Sequence, residues 1–349
     1  MAQGDLITAT EYNNLRSVII TIVDNYGRTA LSSDVVGGST PGVSDTVTEL
    51  QYTDLFKDAQ ACYVHQTNTV STDAIITQFD EGTPIEYSDV SDLTLIANDI
   101  VAFSPNVSQD FPTASFSQAT LLTSLGVSTA STRDGSTNPW STRIRHRVTY
   151  DFGSPGNFRN FFRAGGMLKW DGSLTGGTTG DPLTKDGDWS RIISLAGEIQ
   201  IGVNFNLTFP TFRTISANSN GTGSEVALTS LSTNTSQDGG TLIYTIAGGY
   251  TSGGGQSIYV NNEFELGLAC DSTTNPRALT VEARFNDDDT GTGFQIEPGE
   301  AGTPVDENVT GLLTSTFYTF TPDSEFTIGA TTYPAIQQTP PVGTVNSNL

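Results

Sequence analysis

Cysteine and histidine, which supply most zinc ligands and many catalytic nucleophiles and bases, are scarce in this chain of 349 residues. Cys62 and His65 have a ligand-like spacing, but a tetrahedral zinc site needs further nitrogen or sulfur ligands, and the nearby sequence offers none. His146 lies between two arginines in a strand-like segment, which predicts a packed or hydrogen-bonded side chain. Cys62 and Cys270 are too few and too far apart for a disulfide framework. We therefore expect no metal ion and no cofactor.

The recurrent motifs of catalysis are missing as well. The sequence contains no Gly-x-Ser-x-Gly elbow, phosphate-binding loop, dinucleotide fingerprint or His-Glu-x-x-His pattern. Carboxylate pairs for glycoside hydrolysis can always be found among 38 acidic residues, so that signal has no specificity. We predict that the chain is not an enzyme, and a depolymerase of surface polysaccharide is the less favoured alternative.

One aspartate-rich segment, residues 287–293, could offer oxygen ligands to calcium. The twelfth position counted from Asp287 is Pro298, where a helix-loop-helix calcium site needs an acidic ligand. A solvated hairpin tip is therefore the favoured interpretation of this segment.

The charge balance is strongly acidic, with 15 basic and 38 acidic residues and a formal net charge of −23. Such a field argues against nucleic-acid binding, which needs Lys and Arg to neutralise phosphates. The basic residues are nevertheless clustered, because seven of them, against two acids, lie within residues 133–169. They either pair with acids elsewhere in the fold or form a seam against the acidic surface of a neighbouring subunit. The candidate contact residues of this seam are Arg143, Arg145, Arg147, Arg159 and Arg163.

The elements that would position these residues begin with an internal repeat, in which residues 7–15 align with residues 47–55. Each copy opens with a capping box, Thr8 to Glu11 in the first and Thr48 to Gln51 in the second. Apolar residues follow at helical spacing, so two amphipathic helices on glycine-rich joints are expected to pack on each other or on neighbouring chains. Their candidate contact residues are Tyr12, Leu15, Ile19, Tyr52, Leu55 and Phe56.

The hydrophobic period changes along the chain from 3.6 to 2. Helices are predicted at residues 88–103 and 116–125, and the region before residue 136 is interpreted as an N-terminal helical docking region, residues 1–135. A β-rich domain, residues 136–331, and an extended proline-containing arm, residues 332–349, would follow. The arm either lies on a neighbouring subunit or is a frayed terminus. Within the β-rich domain, short helices are predicted at residues 157–163 and 189–195, and one strand is predicted to begin at residue 167. The other predicted strands are residues 143–152, 198–209, 241–246, 257–269, 278–286 and 312–320.

The predicted fold class is therefore α+β, mainly β, with a helical N-terminal region and an antiparallel β-sandwich-like domain that carries short inserted helices. The N-terminal residues lack the pattern of a secretory signal, and no apolar run is long enough for a membrane span. A polar surface with only 15% charged residues is typical of exposed β-proteins. A virion protein, made in the host cytoplasm and carried outside by assembly, would combine these features, and so would a cytosolic β-sandwich.

Two parts of the sequence carry a family resemblance. The first part is residues 5–16, which contain a predicted helix with the sequence Tyr-Asn-Asn-Leu. The second part consists of three successive segments: the strand at 148–152, a Phe-Phe turn that ends in Gly-Gly within 158–169, and a helix that begins with Trp within 189–202. Both are similar to virion structural proteins of tailed bacteriophages, especially marine and cyanobacterial phages. The resemblance implies a non-catalytic component of the tail, baseplate or fibre, and a homo-oligomer of three or six copies that contacts other virion proteins. The alternatives are a capsid-decorating protein and a host-receptor-binding adhesin with a surface glycan as its ligand.

Overall fold

The computed structural model describes residues 8–26, 40–42, 45–67, 87–103, 122–163, 166–180, 184–204, 211–216, 222–223, 226–235, 238–247, 259, 261–288, 308–322, 325–328, 331–334 and 341–345. Over these residues the fold is α+β, with five α-helices and with most strands in two antiparallel sheets. The helices are α1 (Ala9–Tyr26), α2 (Glu49–Thr67), α3 (Tyr87–Phe103), α4 (Pro155–Arg163) and α5 (Lys185–Ala196).

All of the described strands follow α3 in the chain. In chain order they are β1 (Leu122–Asp134), β2 (Ile144–Asp151), β3 (Met167–Thr175), β4 (Ile199–Asn204), β5 (Thr211–Ser216), β6 (Thr222–Gly223), β7 (Val226–Ala227), β8 (Thr241–Ala247), β9 (Glu263–Cys270), β10 (Ala278–Asn286), β11 (Leu312–Pro322), β12 (Glu325–Ile328), β13 (Thr331–Pro334) and β14 (Val342–Val345).

Both predicted capping boxes are formed at the starts of α1 and α2. Thr8 N donates to Glu11 Oε2 at 3.0 Å, and Glu11 N donates back to Thr8 Oγ1 at 3.2 Å. The second box repeats the pattern, with Thr48 N to Gln51 Oε1 at 2.9 Å and Gln51 N to Thr48 Oγ1 at 3.3 Å. Each box satisfies backbone donors that a helix N-terminus leaves without an intrahelical acceptor, so both helices begin where the sequence predicts.

Helices α1, α2 and α3 pack together around one hydrophobic cluster, here called the helical cluster. Tyr12 Oη of α1 donates to the Gln51 carbonyl at 2.9 Å, and Tyr52 Oη of α2 donates to the Asp89 carbonyl of α3. Each tyrosine therefore buries its ring and still finds an acceptor for its hydroxyl. The buried members of the cluster are Tyr12, Ile19, Ile22, Val47, Tyr52, Leu55, Phe56, Ala59, Cys62, Val90, Leu93, Ile96 and Ile100.

The first sheet has the strand order β1-β11-β3-β4-β5-β7, and the second has the order β14-β2-β10-β9-β8-β6. The two sheets contact each other through their inner faces. Trp170 of β3 stacks on Phe264 of β9 with ring centroids 4.4 Å apart, and His146 Nδ1 of β2 lies 2.8 Å from Ser315 Oγ of β11. Side chains of both sheets, α4 and α5 form one large hydrophobic cluster, here called the sheet cluster.

The helices inserted between strands lie against this cluster. On α4, Phe158, Phe161 and Phe162 are buried and make edge-on or tilted ring contacts with one another and with Phe152. Aromatic pairs of this kind contribute about 0.5–1.5 kcal/mol each beyond the area they bury. The Phe-Phe turn singled out in the sequence is therefore part of the core.

Strand β1 corrects one prediction. A helix was expected over residues 116–125, but residues 122–125 begin β1, which pairs antiparallel with β11, and residues 116–121 lie outside the described residues. Residues 122–134, assigned above to the helical region, therefore belong to the first sheet. The segment is rich in Thr and Ser, which a sheet accepts when a partner strand supplies the hydrogen bonds.

The C-terminal arm returns to its own chain in two places. β13 pairs with β12 as a two-stranded sheet, and β14 pairs with β2 from Val342 opposite Asp151 to Val345 opposite Val148. The described parts of the arm, residues 332–334 and 341–345, contain strand segments that pair with this chain. None of the helices in the described residues combines the length and apolar character that a membrane span requires.

Candidate functional site

The outer face of the second sheet carries a row of arginines. The even-numbered residues of β2 are buried and face the core, so Arg145 and Arg147 lie on the opposite face, continued by Arg143 just before the strand. In register, Arg284 of β10 lies directly opposite Arg145. We call these four residues the arginine face.

Like charges directly opposite each other destabilise a sheet, so the pairing of Arg145 with Arg284 needs a compensating acid. Asp238 provides it. Arg145 Nε donates to Asp238 Oδ1 at 2.7 Å, Arg143 Nη1 lies 3.2 Å from Oδ2, and Arg284 Nε lies 3.8 Å from Oδ1. Three arginines therefore converge on one carboxylate.

Two glutamates complete the neutralisation of the arginine face. Glu282 is almost fully buried; it accepts a hydrogen bond from Arg284 Nε at 2.5 Å and lies 3.9 Å from Arg147 Nη1. Glu265 lies 3.6 Å from Arg284 Nη1. Gly267, opposite Glu282 in register, leaves room for this arrangement, because a Cβ there would lie 2.9 Å from an Arg284 guanidinium nitrogen. Each arginine of the face has an acidic partner within the chain.

Residues 232–235 and 238–240, here called the strap, lie over the arginine face and supply Asp238. The Thr235 carbonyl accepts from Arg147 Nη1 at 2.6 Å, and the Gly240 carbonyl accepts from Arg284 Nη2 at 3.2 Å. Guanidinium groups suit this role, because their several donors can serve a carboxylate and a carbonyl at once. The arginine face thus fastens the strap to the sheet.

Asp238 itself has a φ of 58°, a left-handed conformation that aspartate tolerates better than most residues. The hydrogen bond from Arg145 is the main cause that lowers the pKa of Asp238, and the same bond raises the pKa of Arg145. The Asp238 side chain is 36% exposed, so solvent weakens these attractions.

The edge of the same sheet is exposed and apolar. β14 is the outermost strand, and among the described strands it pairs only with β2. Val342 is 70% exposed and Val345 is 41% exposed, and the four residues of the strand carry no charge. Such an edge offers apolar side chains to a further strand.

A second polar group of residues is buried at the start of α5. Lys185 Nζ lies 3.0 Å from Asp287 Oδ2, and both side chains have zero exposure. Asn262 Nδ2 donates to Asp188 Oδ2 at 3.3 Å in the same buried region. The expectation of a solvated hairpin tip is therefore wrong at Asp287, which lies at the end of β10 and faces a lysine that is 102 residues away in sequence.

Beside this pair, Asp186 links three segments of the chain. Its carboxylate accepts hydrogen bonds from Thr178 N at 3.0 Å, Thr310 N at 2.8 Å and Gly311 N at 2.8 Å. Burial alone would raise the pKa of Asp186, but these hydrogen bonds outweigh it and lower the pKa. Gly177, with a φ of 56°, leaves space for the carboxylate, since a Cβ there would lie 2.4 Å from Oδ2.

No protein-family model, curated protein or solved structure matches this chain. Its function must therefore be inferred from these arrangements and from the resemblance of the two segments described above.

The predicted arginine seam divides into three parts. Arg143, Arg145 and Arg147 pair with acids of the same chain, as the alternative of internal pairing predicts. Arg159 is exposed on α4 and forms no ion pair with any residue that the structure describes. Arg163 ends α4, and its side chain lies outside the described residues.

The six candidate contact residues of the helices lie inside the chain. Leu15 is partly buried against the helical cluster, and the other five belong to it. The two repeats therefore pack together with α3, and these six side chains contact the helical cluster of their own chain. A contact with another protein through them stays a prediction.

His146 and both cysteines, the described residues with the chemistry of ligands or nucleophiles, are buried. His146 is buried and hydrogen-bonded to Ser315, as predicted, and burial lowers its pKa to about 4. Cys62 and Cys270 are buried free cysteines, and the His65 side chain lies outside the described residues. Within the described part of the chain, no group of three or more His, Cys, Asp or Glu side chains is placed to hold a metal ion.

Proposed function

We propose that this chain is a structural subunit of a tailed-bacteriophage virion, in the tail, baseplate or fibre, and that it acts through contacts with other protein subunits. The resemblance of residues 5–16 and of the segments between residues 148 and 202 supports this class of protein. The arginine face has a structural use that fits this class, because Arg147 and Arg284 donate to carbonyl groups of the protein's own strap.

The observation that carries the proposal is the exposed edge strand β14. Monomeric β-proteins protect their sheet edges with charged residues, prolines or bulges, because an open edge pairs with other chains. β14 has two exposed valines and no charged residue. Addition of a strand to such an edge supplies main-chain hydrogen bonds and apolar contacts together.

The partner that we propose for this edge is a second copy of the chain. The two sheets pack around the sheet cluster, and β14 is the outermost described strand of the second sheet, with Val342 and Val345 exposed to a neighbouring copy. Phage symmetry implies three or six copies in the assembled ring or fibre.

The test is the mass of the purified full chain in solution, measured by light scattering over a range of concentrations. Val342→Asp places a charge on the edge strand and is expected to lower the mass from oligomer to monomer. Leu50→Asp is the matched control, since Leu50 is 68% exposed but lies on α2, where the new charge is close to a helix N-terminus that favours it.

Each outcome of the mass measurement either supports or overturns assembly through the edge strand. An oligomer that Val342→Asp dissociates and Leu50→Asp leaves intact supports assembly through the sheet edge. Dissociation by Leu50→Asp alone would overturn the edge in favour of docking through the helices. A wild-type chain that is monomeric at every concentration would overturn the homo-oligomer and favour an adaptor or capsid-decorating protein.

A further inference from the structure

Lys185 and Asp287 form a fully buried pair whose side chains are in direct contact. Lys185 Nζ and Asp287 Oδ2 are 3.0 Å apart, neither side chain has any solvent exposure, and Nζ lies 6.0 Å from the centroid of the Tyr259 ring. Lys185 is the first residue of α5, where Thr184 caps the helix, and Asp287 directly follows β10. A rigid helix start and a strand end therefore hold the amine and the carboxyl group together.

A reaction between the two groups needs the neutral amine and the protonated carboxyl group. Removal of charged groups from water is unfavourable, and transfer of one proton from the ammonium to the carboxylate removes both charges at once. The transfer yields a free amine beside a carboxylic acid. A desolvated lysine amine is a nucleophile, and two groups that a fold holds side by side reach effective molarities far above any concentration in solution.

We propose that Lys185 and Asp287 join in an intramolecular isopeptide bond. The amine nitrogen of Lys185 attacks Cγ of the protonated Asp287 carboxyl group and forms a C–N bond and a tetrahedral intermediate. The C–OH bond of that intermediate then breaks as its hydroxyl group takes up a proton, while the nitrogen loses one. The products are one amide bond and one water molecule, and no atom is oxidised or reduced.

Asp188 is the proton carrier in this proposal. It lies three residues after Lys185 on α5, a spacing at which side chains of a helix are neighbours, and it is almost fully buried. Its Oδ2 accepts a hydrogen bond from Asn262 Nδ2, which orients the carboxyl group. Such a group can take the proton from the attacking nitrogen and return it to the leaving hydroxyl.

The bond would connect residues 102 positions apart and tie α5 permanently to the end of β10. A cross-link across so long a loop restricts the unfolded chain strongly. The inference concerns one pair of side chains and is independent of the proposed virion role.

The test is the intact mass of the full chain by mass spectrometry under denaturing conditions. The wild-type chain is expected to be lighter than its sequence mass by one water molecule, and a digest is expected to yield a branched peptide that joins Lys185 to Asp287. A chain with its full sequence mass would overturn the proposal.

Cyclisation of an Asp-Gly pair also releases one water molecule, and the sequence has four such pairs, which begin at Asp134, Asp171, Asp186 and Asp238. Two variants distinguish that reaction from the isopeptide bond. Lys185→Arg keeps a cation but removes the amine, so it is expected to have its full sequence mass. Asp287→Asn is expected to lose ammonia in place of water and to reach the same final mass as the wild type. If Lys185→Arg still lacks one water, the loss comes from elsewhere and the isopeptide bond is refuted.

Asp188→Asn tests the proton carrier in the same measurement. Cross-linked chain is expected to accumulate at least tenfold more slowly after synthesis than in the wild type. Equal rates would remove Asp188 from the reaction while leaving the bond itself in place.

Discussion

At the scale of single residues, His146 shows how burial controls a titratable group. Its ring lies on the core face of β2, with Nδ1 2.8 Å from Ser315 Oγ and the Phe285 ring centroid 5.5 Å away. Burial disfavours the charged imidazolium and lowers the pKa to about 4, whereas an exposed histidine has a pKa of about 6.5. The folded chain therefore keeps this histidine neutral over a range in which the unfolded chain binds a proton.

This difference predicts a loss of stability in mild acid. Because the folded-state pKa is depressed, the contribution is complete above about pH 6.5 and falls as the pH approaches 4; the expected loss by pH 5 is about 2 kcal/mol. Urea unfolding of the wild type and of His146→Gln between pH 5 and pH 7.5 measures it. The variant is expected to be less stable at pH 7.5 but to lose little further stability toward pH 5. Parallel slopes in the two proteins would contradict the prediction.

At the scale of elements, Asp186 fixes the position of α5. Its carboxylate accepts hydrogen bonds from the turn after β3, through Thr178, and from the segment before β11, through Thr310 and Gly311. This placement also sets the positions of Lys185 and Trp189, since both residues lie within the first two turns of the same helix. One carboxylate thus aligns the helix that carries the buried lysine.

Asp186→Asn tests this role. The amide has one acceptor oxygen where the carboxylate has two, and its NH2 group faces backbone donors, so the expected loss in the free energy of unfolding is about 2–4 kcal/mol. Urea unfolding followed by tryptophan fluorescence measures the change. Asp134→Asn is the matched control, because Asp134 also precedes a glycine and accepts from Ser136, but in an exposed turn. A loss there as large as at Asp186 would show that burial and the three-segment contact are not the cause.

The elements also show what a sequence can and cannot predict. The capping boxes at Thr8 and Thr48 and the alternation along β2 are local patterns, and the structure forms them where they were predicted. Strands β1 and β14 were not predicted. β1 is rich in Ser and Thr and β14 is only four residues long, and each becomes a strand through a partner far away in sequence, β11 for β1 and β2 for β14.

The same limit applies to the candidate sites. The distribution of charges along the sequence identifies the arginine cluster but not its ion-pair partners. The acidic partner of Arg145 is 93 residues away in sequence, and that of Lys185 is 102 residues away. No local spacing encodes such pairs. Asp287 was misinterpreted for this reason, since three successive aspartates resemble a solvated turn until the fold places a lysine beside the first of them.

At the scale of the whole molecule, most of the buried apolar residues in the described part of the chain fall into two clusters that share no member. The helical cluster is built from α1, α2, α3 and Val47, which precedes α2, and the sheet cluster is built from both sheets with α4 and α5. All three tryptophans, Trp140, Trp170 and Trp189, belong to the sheet cluster. Tryptophan fluorescence therefore reports on the sheet cluster, while far-UV circular dichroism also reports on α1, α2 and α3.

This division predicts that the chain unfolds in two steps. Leu55→Ala removes a fully buried side chain from the helical cluster, and Ile201→Ala does the same in the sheet cluster; each is expected to cost about 2–5 kcal/mol in its own cluster. In urea, Leu55→Ala should shift part of the circular dichroism transition and leave the fluorescence midpoint unchanged, whereas Ile201→Ala should shift the fluorescence midpoint. If both variants move both signals together, the two clusters form one cooperative unit, and the predicted boundary between a helical region and a β-rich domain has no thermodynamic meaning.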